Sequence, residues 1–109
     1  MADDWDWDLQ QSQTAATVHQ LLQETDVEEG AVITLDMSFL PVDGADQAAF
    51  EKVLTTFGYA IGDGEDGEFL ASISEVPFTF EAIWTHEERT TKMALSRGFE
   101  PDGWGFWEP

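Results

Sequence analysis

Residues Ala31 to Leu40 alternate strictly. Ala31, Ile33, Leu35, Met37 and Phe39 fall on one side, and Thr34, Asp36 and Ser38 on the other. Successive side chains of a strand point to opposite faces, so this period of two marks a strand with one buried face. Pro41 ends it. Everything else in the chain has to supply partners for this strand and a cover for its apolar side.

The cover is legible as a change of period. After Asp43, which can cap a helix, Phe50, Val53, Leu54 and Phe57 recur at i, i+3, i+4 and i+7, and Gly58 stands where a helix C-terminal glycine belongs. Gly58–Ile61 then predicts a short strand. Gly62–Gly67 predicts a tight turn rich in glycine and acid. Phe69, Ala71 and Ile73 alternate with Leu70, Ser72 and Ser74 as the returning strand, closed by Pro77. Thr79 can cap a last helix running to about Arg97, with Gly98 at its end, and the aromatic segment Pro101–Trp107 predicts a final strand. An earlier helix, about Asp8–Gln23, carries Ala15, Val18 and Leu22 on one face behind an acidic leader.

Without the first helix the order is β-α-β-β-α-β. Two right-handed crossovers of this kind interleave into a four-stranded antiparallel sheet with both helices on one face. The expected fold is therefore α+β, a ferredoxin-like sandwich over residues 31–109. Residues 1–30 form the acidic leader and the additional N-terminal helix.

Charge narrows the function. The 109 residues hold 23 Asp+Glu against 4 Lys+Arg, a formal net charge of −19. Such a surface repels phosphate, so neither nucleic acid nor an anionic membrane is an expected direct partner. No Cys is present, which excludes disulfides, Cys-zinc sites and thiol nucleophiles. The apolar runs are far shorter than the roughly 20 residues that span a bilayer, and the opening Met1-Ala2-Asp3-Asp4 is acidic where a signal peptide is basic. A cytoplasmic protein is expected. The acidity itself has three readings: adaptation to high salt, complementarity to a basic partner, or mimicry of a nucleic-acid backbone.

Catalytic and metal patterns fail one by one. His19 and His86 share no metal-binding spacing, and no phosphate-loop or nucleophile motif occurs. Asp4, Asp6 and Asp8 match the first positions of a calcium loop, but Leu9 and Ala15 stand where Gly and Glu are required. The Asp63–Glu68 turn could hold a divalent cation weakly, though a solvated hairpin explains it as well. The outward strand residues Thr34, Asp36, Ser38, Ser72 and Ser74 include neither an aromatic nor a base, so the RNA-stacking platform that this topology can carry is missing. No enzyme, cofactor or metal is expected.

Surface aromatics remain. Trp5 and Trp7 lie in the acidic leader, and Trp84 lies near the start of the last helix, where Ile83, Thr90, Met93 and Ala94 make the inward stripe. Trp is enriched at binding hot spots. Trp5, Trp7 and Trp84, with Glu87 and Glu88 beside them, are the candidate partner-binding residues. Packing against the first helix is the competing explanation for Trp84. Arg89, Lys92 and Arg97 are expected to pair with acids such as Glu88.

Glu81-Ala82-Ile83, Gly98 and Asp102-Gly103-Trp104-Gly105 resemble the end of the RraB-type proteins, the protein regulators of ribonuclease E, and Phe50-Glu51-Lys52 with Phe57-Gly58-Tyr59 resembles their first helix running into the second strand. The resemblance covers roughly residues 31–105. It implies a non-enzymatic cytoplasmic regulator that binds and inhibits the ribonuclease by protein–protein contact. The chain departs from the pattern in its Gln-rich first helix with Trp5 and Trp7, and in its ending after Trp104. Physically, Asp102-Gly103-Trp104-Gly105 reads as structure: glycines let the chain turn while Trp104 anchors the last strand. The expected function is a small acidic regulator that grips a basic segment of a ribonuclease. The alternatives are a nucleic-acid mimic blocking a binding cleft, and a weak divalent-cation module.

Overall fold

The computed structural model describes residues 5–63 and 68–107. The elements run α1 (Trp7–Glu24), β1 (Val32–Pro41), α2 (Gln47–Thr56), β2 (Ala60–Asp63), β3 (Phe69–Pro77), α3 (Phe80–Leu95) and β4 (Phe99–Trp107). The result is α+β, three helices and one open four-stranded sheet of order β2-β3-β1-β4, every neighbouring pair antiparallel. Of the Asp63–Glu68 segment expected to hold a cation weakly, residues 64–67 lie outside the described residues.

The alternation of β1 is realised directly. Ile33, Leu35, Met37 and Phe39 are buried, while Thr34, Asp36 and Ser38 are half-exposed on the opposite face. α2 contributes Phe50 and Leu54 to the same core, and α3 contributes Ile83, Met93 and Ala94. Phe50 stacks on Phe69 at 5.0 Å and meets Phe39 edge-on at 5.2 Å, with Phe99 tilted against it at 4.9 Å. Apolar burial of this kind contributes about 1.5–3 kcal/mol per large side chain.

Several local expectations shift. The α2 cap is Asp46, whose side chain accepts from the Ala49 N–H, rather than Asp43. The second strand begins at Ala60 instead of Gly58, and the last begins at Phe99, which is buried. Phe57 closes α2 and is exposed rather than inward, lying under the Arg89 guanidinium. Thr79 caps α3 as expected, accepting from the Ala82 N–H.

α1 departs furthest. Its buried residues are Gln10, Thr14 and Val18, while Ala15 is exposed. The helix turns a partly polar face inward because that face finds polar partners on α3.

Two glycines do specific work. Gly98, at φ +82, follows α3; a Cβ there would stand 2.6 Å from Ala45 Cα. The turn it makes is tied to the β1–α2 connection, with the Val42 N–H donating to Gly98 O and the Asp46 N–H to Arg97 O. Gly103, at φ +134, sits where the β1–β4 register slips between Ser38 and Phe39, a bulge at Asp102–Gly103.

Candidate functional site

Inward residues of α3 recur as Ile83, Glu87, Thr90, Thr91 and Ala94. The spacing places Glu87 on the buried stripe, one turn after Ile83 and two turns before Ala94. Its carboxyl therefore enters the seam between α3 and α1. Gln10 and Thr14 stand there on successive turns of α1 and supply the donors. The Thr14 hydroxyl donates to Glu87 Oε1, and Gln10 Nε2 donates to Glu87 Oε2 at 3.0 Å and to Thr91 Oγ1 at 3.1 Å. Trp5 Nε1 donates in turn to Gln10 Oε1 at 2.7 Å. No buried side-chain N or O among the described residues lacks a partner.

Glu87 is 8% exposed, the only charged side chain in the buried set of the described residues. No Lys or Arg pairs with it; Lys92 pairs instead with Glu88, at 3.9 Å. Burial pushes the Glu87 carboxyl above its usual range, and the Thr14 and Gln10 hydrogen bonds pull part of the way back. A carboxyl so placed can accept from a bound donor when ionised and donate when protonated.

Glu87 also opens outward. It lines a cleft of about 510 Å³ between α1 and β4, walled by Gln10, Gln13, Thr14, Ala16, Thr17, Gly103 and Trp104. A second hollow of about 260 Å³ shares Gln10, Gln13, Glu87 and Gly103 and is lined also by Pro101 and Asp102. Trp104 pairs with Met37 across the sheet and packs on the core side of β4, which sets its indole against this cleft. Gly105 lies opposite Asp36 on the other sheet face.

Four of the candidate partner-binding residues converge on the α1–α3 seam. Trp7 meets Trp84 edge-on at 6.4 Å, with Lys92 Nζ 5.8 Å from the Trp7 ring. Trp5 reaches Glu87 through Gln10. Trp5, Trp7 and Trp84 are each half-buried, so the tryptophans spend part of their surface in holding α1 to α3. Glu88 stands outside the network, on Lys92. Gln10, Thr14 and Thr91 were absent from the sequence-based set; the i, i+4 polar pair on α1 was their one visible trace.

Two further polar groupings lie elsewhere. Tyr59 Oη and His86 Nδ1 are 2.8 Å apart, and burial with the nearby Arg89 charge holds the His86 imidazole below its usual range. On the uncovered sheet face, Asp36 accepts from Ser72 Oγ at 2.5 Å and from Trp107 Nε1. Arg89 lies over Phe57 rather than against an acid, and Arg97 donates to Met93 O and Ser96 Oγ. Among the described residues no group of three His, Asp or Glu side chains is arranged to hold a metal ion, and no helix is long and apolar enough to cross a membrane. Comparison of the chain with protein-family models and with curated proteins found no match.

Proposed function

We propose that the chain is a small, non-enzymatic acidic regulator, cytoplasmic, that binds a basic segment of a ribonuclease E-like enzyme and inhibits it by protein–protein contact. The observation that carries this reading is the uncompensated charge: 23 carboxylates against 4 bases, one of which, Lys92, is already paired with Glu88. Arg89 and Arg97 are engaged with an aromatic ring and with backbone and hydroxyl oxygens. The negative field is left to act outward, where it accelerates encounter with a basic partner and makes affinity fall with salt.

The fold reading within this proposal is the ferredoxin-like βαββαβ sandwich with an added first helix. It is supported by the order β2-β3-β1-β4 with antiparallel neighbours and by contacts of α2 and α3 with the same side of β1, through Phe50 on Phe39 and Thr90 on Met37. The choice of a ribonuclease as partner is supported by the likeness of Asp102-Gly103-Trp104-Gly105 to the RraB-type ending.

The test is a ribonuclease E cleavage assay with added protein at low salt and at about 0.5 M KCl, where the Debye length is only a few Å. Inhibition at low salt that fades at high salt is expected. Unchanged cleavage at low salt, with a Tm that climbs steeply from dilute to molar KCl, would assign the acidity to a saline habitat instead.

A further inference from the structure

The cleft beside Glu87 has a chemistry narrower than the acidic surface as a whole. Its floor is a carboxylate that is 8% exposed and has no cation against it. An ionised carboxylate offers about four lone-pair sites, and Thr14 and Gln10 use one on each oxygen. Both oxygens keep acceptor capacity, and Glu87 is part of the cleft lining. Trp104 lines the same cleft from β4 and offers an aromatic surface, while Gln13 and Thr17 line it from α1. Asp102 lines the adjoining hollow that shares Glu87 and adds a second negative charge there.

We infer that this cleft receives a guanidinium group, forked onto the Glu87 carboxylate and stacked against Trp104. A guanidinium is planar, weakly hydrated, donates in parallel pairs to carboxylates and stacks on aromatic faces. An ammonium is a compact, strongly hydrated point charge that uses neither the aromatic surface nor the paired acceptors. An anion meets Glu87, Asp102 and a chain of net charge −19. The chain's own two arginines are occupied elsewhere: Arg89 over Phe57, and Arg97 on Met93 O and Ser96 Oγ at the end of α3. The guanidinium therefore comes from outside, either an arginine side chain of a bound polypeptide or a free guanidine compound. The inference rests on the reading of the chain as a binder of basic partners and names the one contact that would discriminate among them.

The experiment titrates the whole protein with N-acetyl-arginine amide, N-acetyl-lysine amide and the neutral N-acetyl-citrulline amide, following the Glu87 carboxyl carbon and the Trp104 indole N–H by NMR. Saturable shifts at both groups are expected for the arginine compound, with binding about tenfold or more weaker for the lysine and citrulline compounds. Glu87→Gln, close in shape, should lose the arginine response. Ala16→Trp, at an exposed lining position on α1, should block it without touching Glu87, so a folding defect in one variant leaves the other to decide. Equal binding of arginine and lysine compounds, or a response unchanged in both variants, overturns the inference. An arginine-bearing peptide that binds tighter than the free amide identifies the source as a polypeptide, and equal affinity identifies a small molecule. Should ribonuclease inhibition persist in Glu87→Gln while the arginine response is absent from the wild type, the cleft assignment falls and the regulator reading stands. Should the arginine response hold with no inhibition, the reverse is true.

Discussion

Thr14→Val isolates the buried carboxyl from the rest of the α1–α3 seam. The replacement keeps the side-chain shape and removes the hydroxyl that donates to Glu87 Oε1. Thr14 is 2% exposed and Glu87 8%, so the bond is made largely out of bulk solvent. A hydrogen bond to a charged group contributes about 1.5–3 kcal/mol, and one between neutral groups about 0.5–1.5 kcal/mol. The cost of the substitution therefore depends on whether Glu87 is ionised. Burial holds its folded pKa above the ordinary 4.5, and the Thr14 bond acts in the opposite direction. A raised acid contributes stability that is fully present below the unfolded value and is lost as pH rises through the folded one. Removing Thr14 raises the folded value further and enlarges that loss. The expected cost is about 0.5–1.5 kcal/mol near pH 4.5 and about 1.5–3 kcal/mol near pH 8. The added loss of about 1 kcal/mol corresponds to roughly 4 °C in Tm for a domain of this size. Circular-dichroism melts of the wild type, Thr14→Val, Glu87→Gln and the double variant at both pH values measure it. In the Glu87→Gln background the pH-dependence of the Thr14→Val cost should vanish. A cost equal at both pH values in the wild-type background, or larger in acid, would refute the reasoning.

Gly98→Ala combines a positive φ with a Cβ 2.6 Å from Ala45 Cα, whereas Gly58→Ala at φ +91 meets nothing within 4 Å. Urea denaturation should show about 1 kcal/mol lost at Gly58 and a clearly larger loss at Gly98; equal losses would mean the Ala45 contact relaxes freely. The His86 imidazole, held below its ordinary 6.5 by burial and by Arg89, should titrate by NMR with a midpoint under 6.5. Stability should accordingly fall as pH drops from 6.5 through that midpoint, and a midpoint at or above 6.5 would contradict the packing against Tyr59.

What could be read in the chain was whatever a local pattern determines. Period two in β1 identified Ile33, Leu35, Met37 and Phe39 as buried, because alternation belongs to the strand itself. The Thr79 cap and the Ile83, Thr90, Ala94 stripe were visible for the same reason. On α1, Val18 and Leu22 were read correctly as inward. The polar part of the buried face was missed, because apolar residues mark a whole buried face only when the cover is apolar. Gln10 and Thr14 are buried through hydrogen bonds to Glu87, which lies 77 and 73 residues away along the chain. Glu87 itself was singled out as a partner-binding residue beside Trp84, although its place in the α3 stripe already pointed inward. Asp43 was read as the α2 cap, whereas the cap is Asp46; both precede the apolar run. The choice is made by the Asp46 N–H bond to Arg97 O, which lies beyond any local window.

That bond bears on how the chain assembles. α2 has 10 residues, fewer than an isolated helix needs for stability in water. Its first turn hangs on Arg97 and Gly98, half the chain further on, so the end of α3 must be in place before the start of α2 is secured. Long-range closures of this kind slow folding. They also tie early and late segments into one transition, so α2 should gain its exchange protection together with the α3–β4 turn, as one cooperative unit.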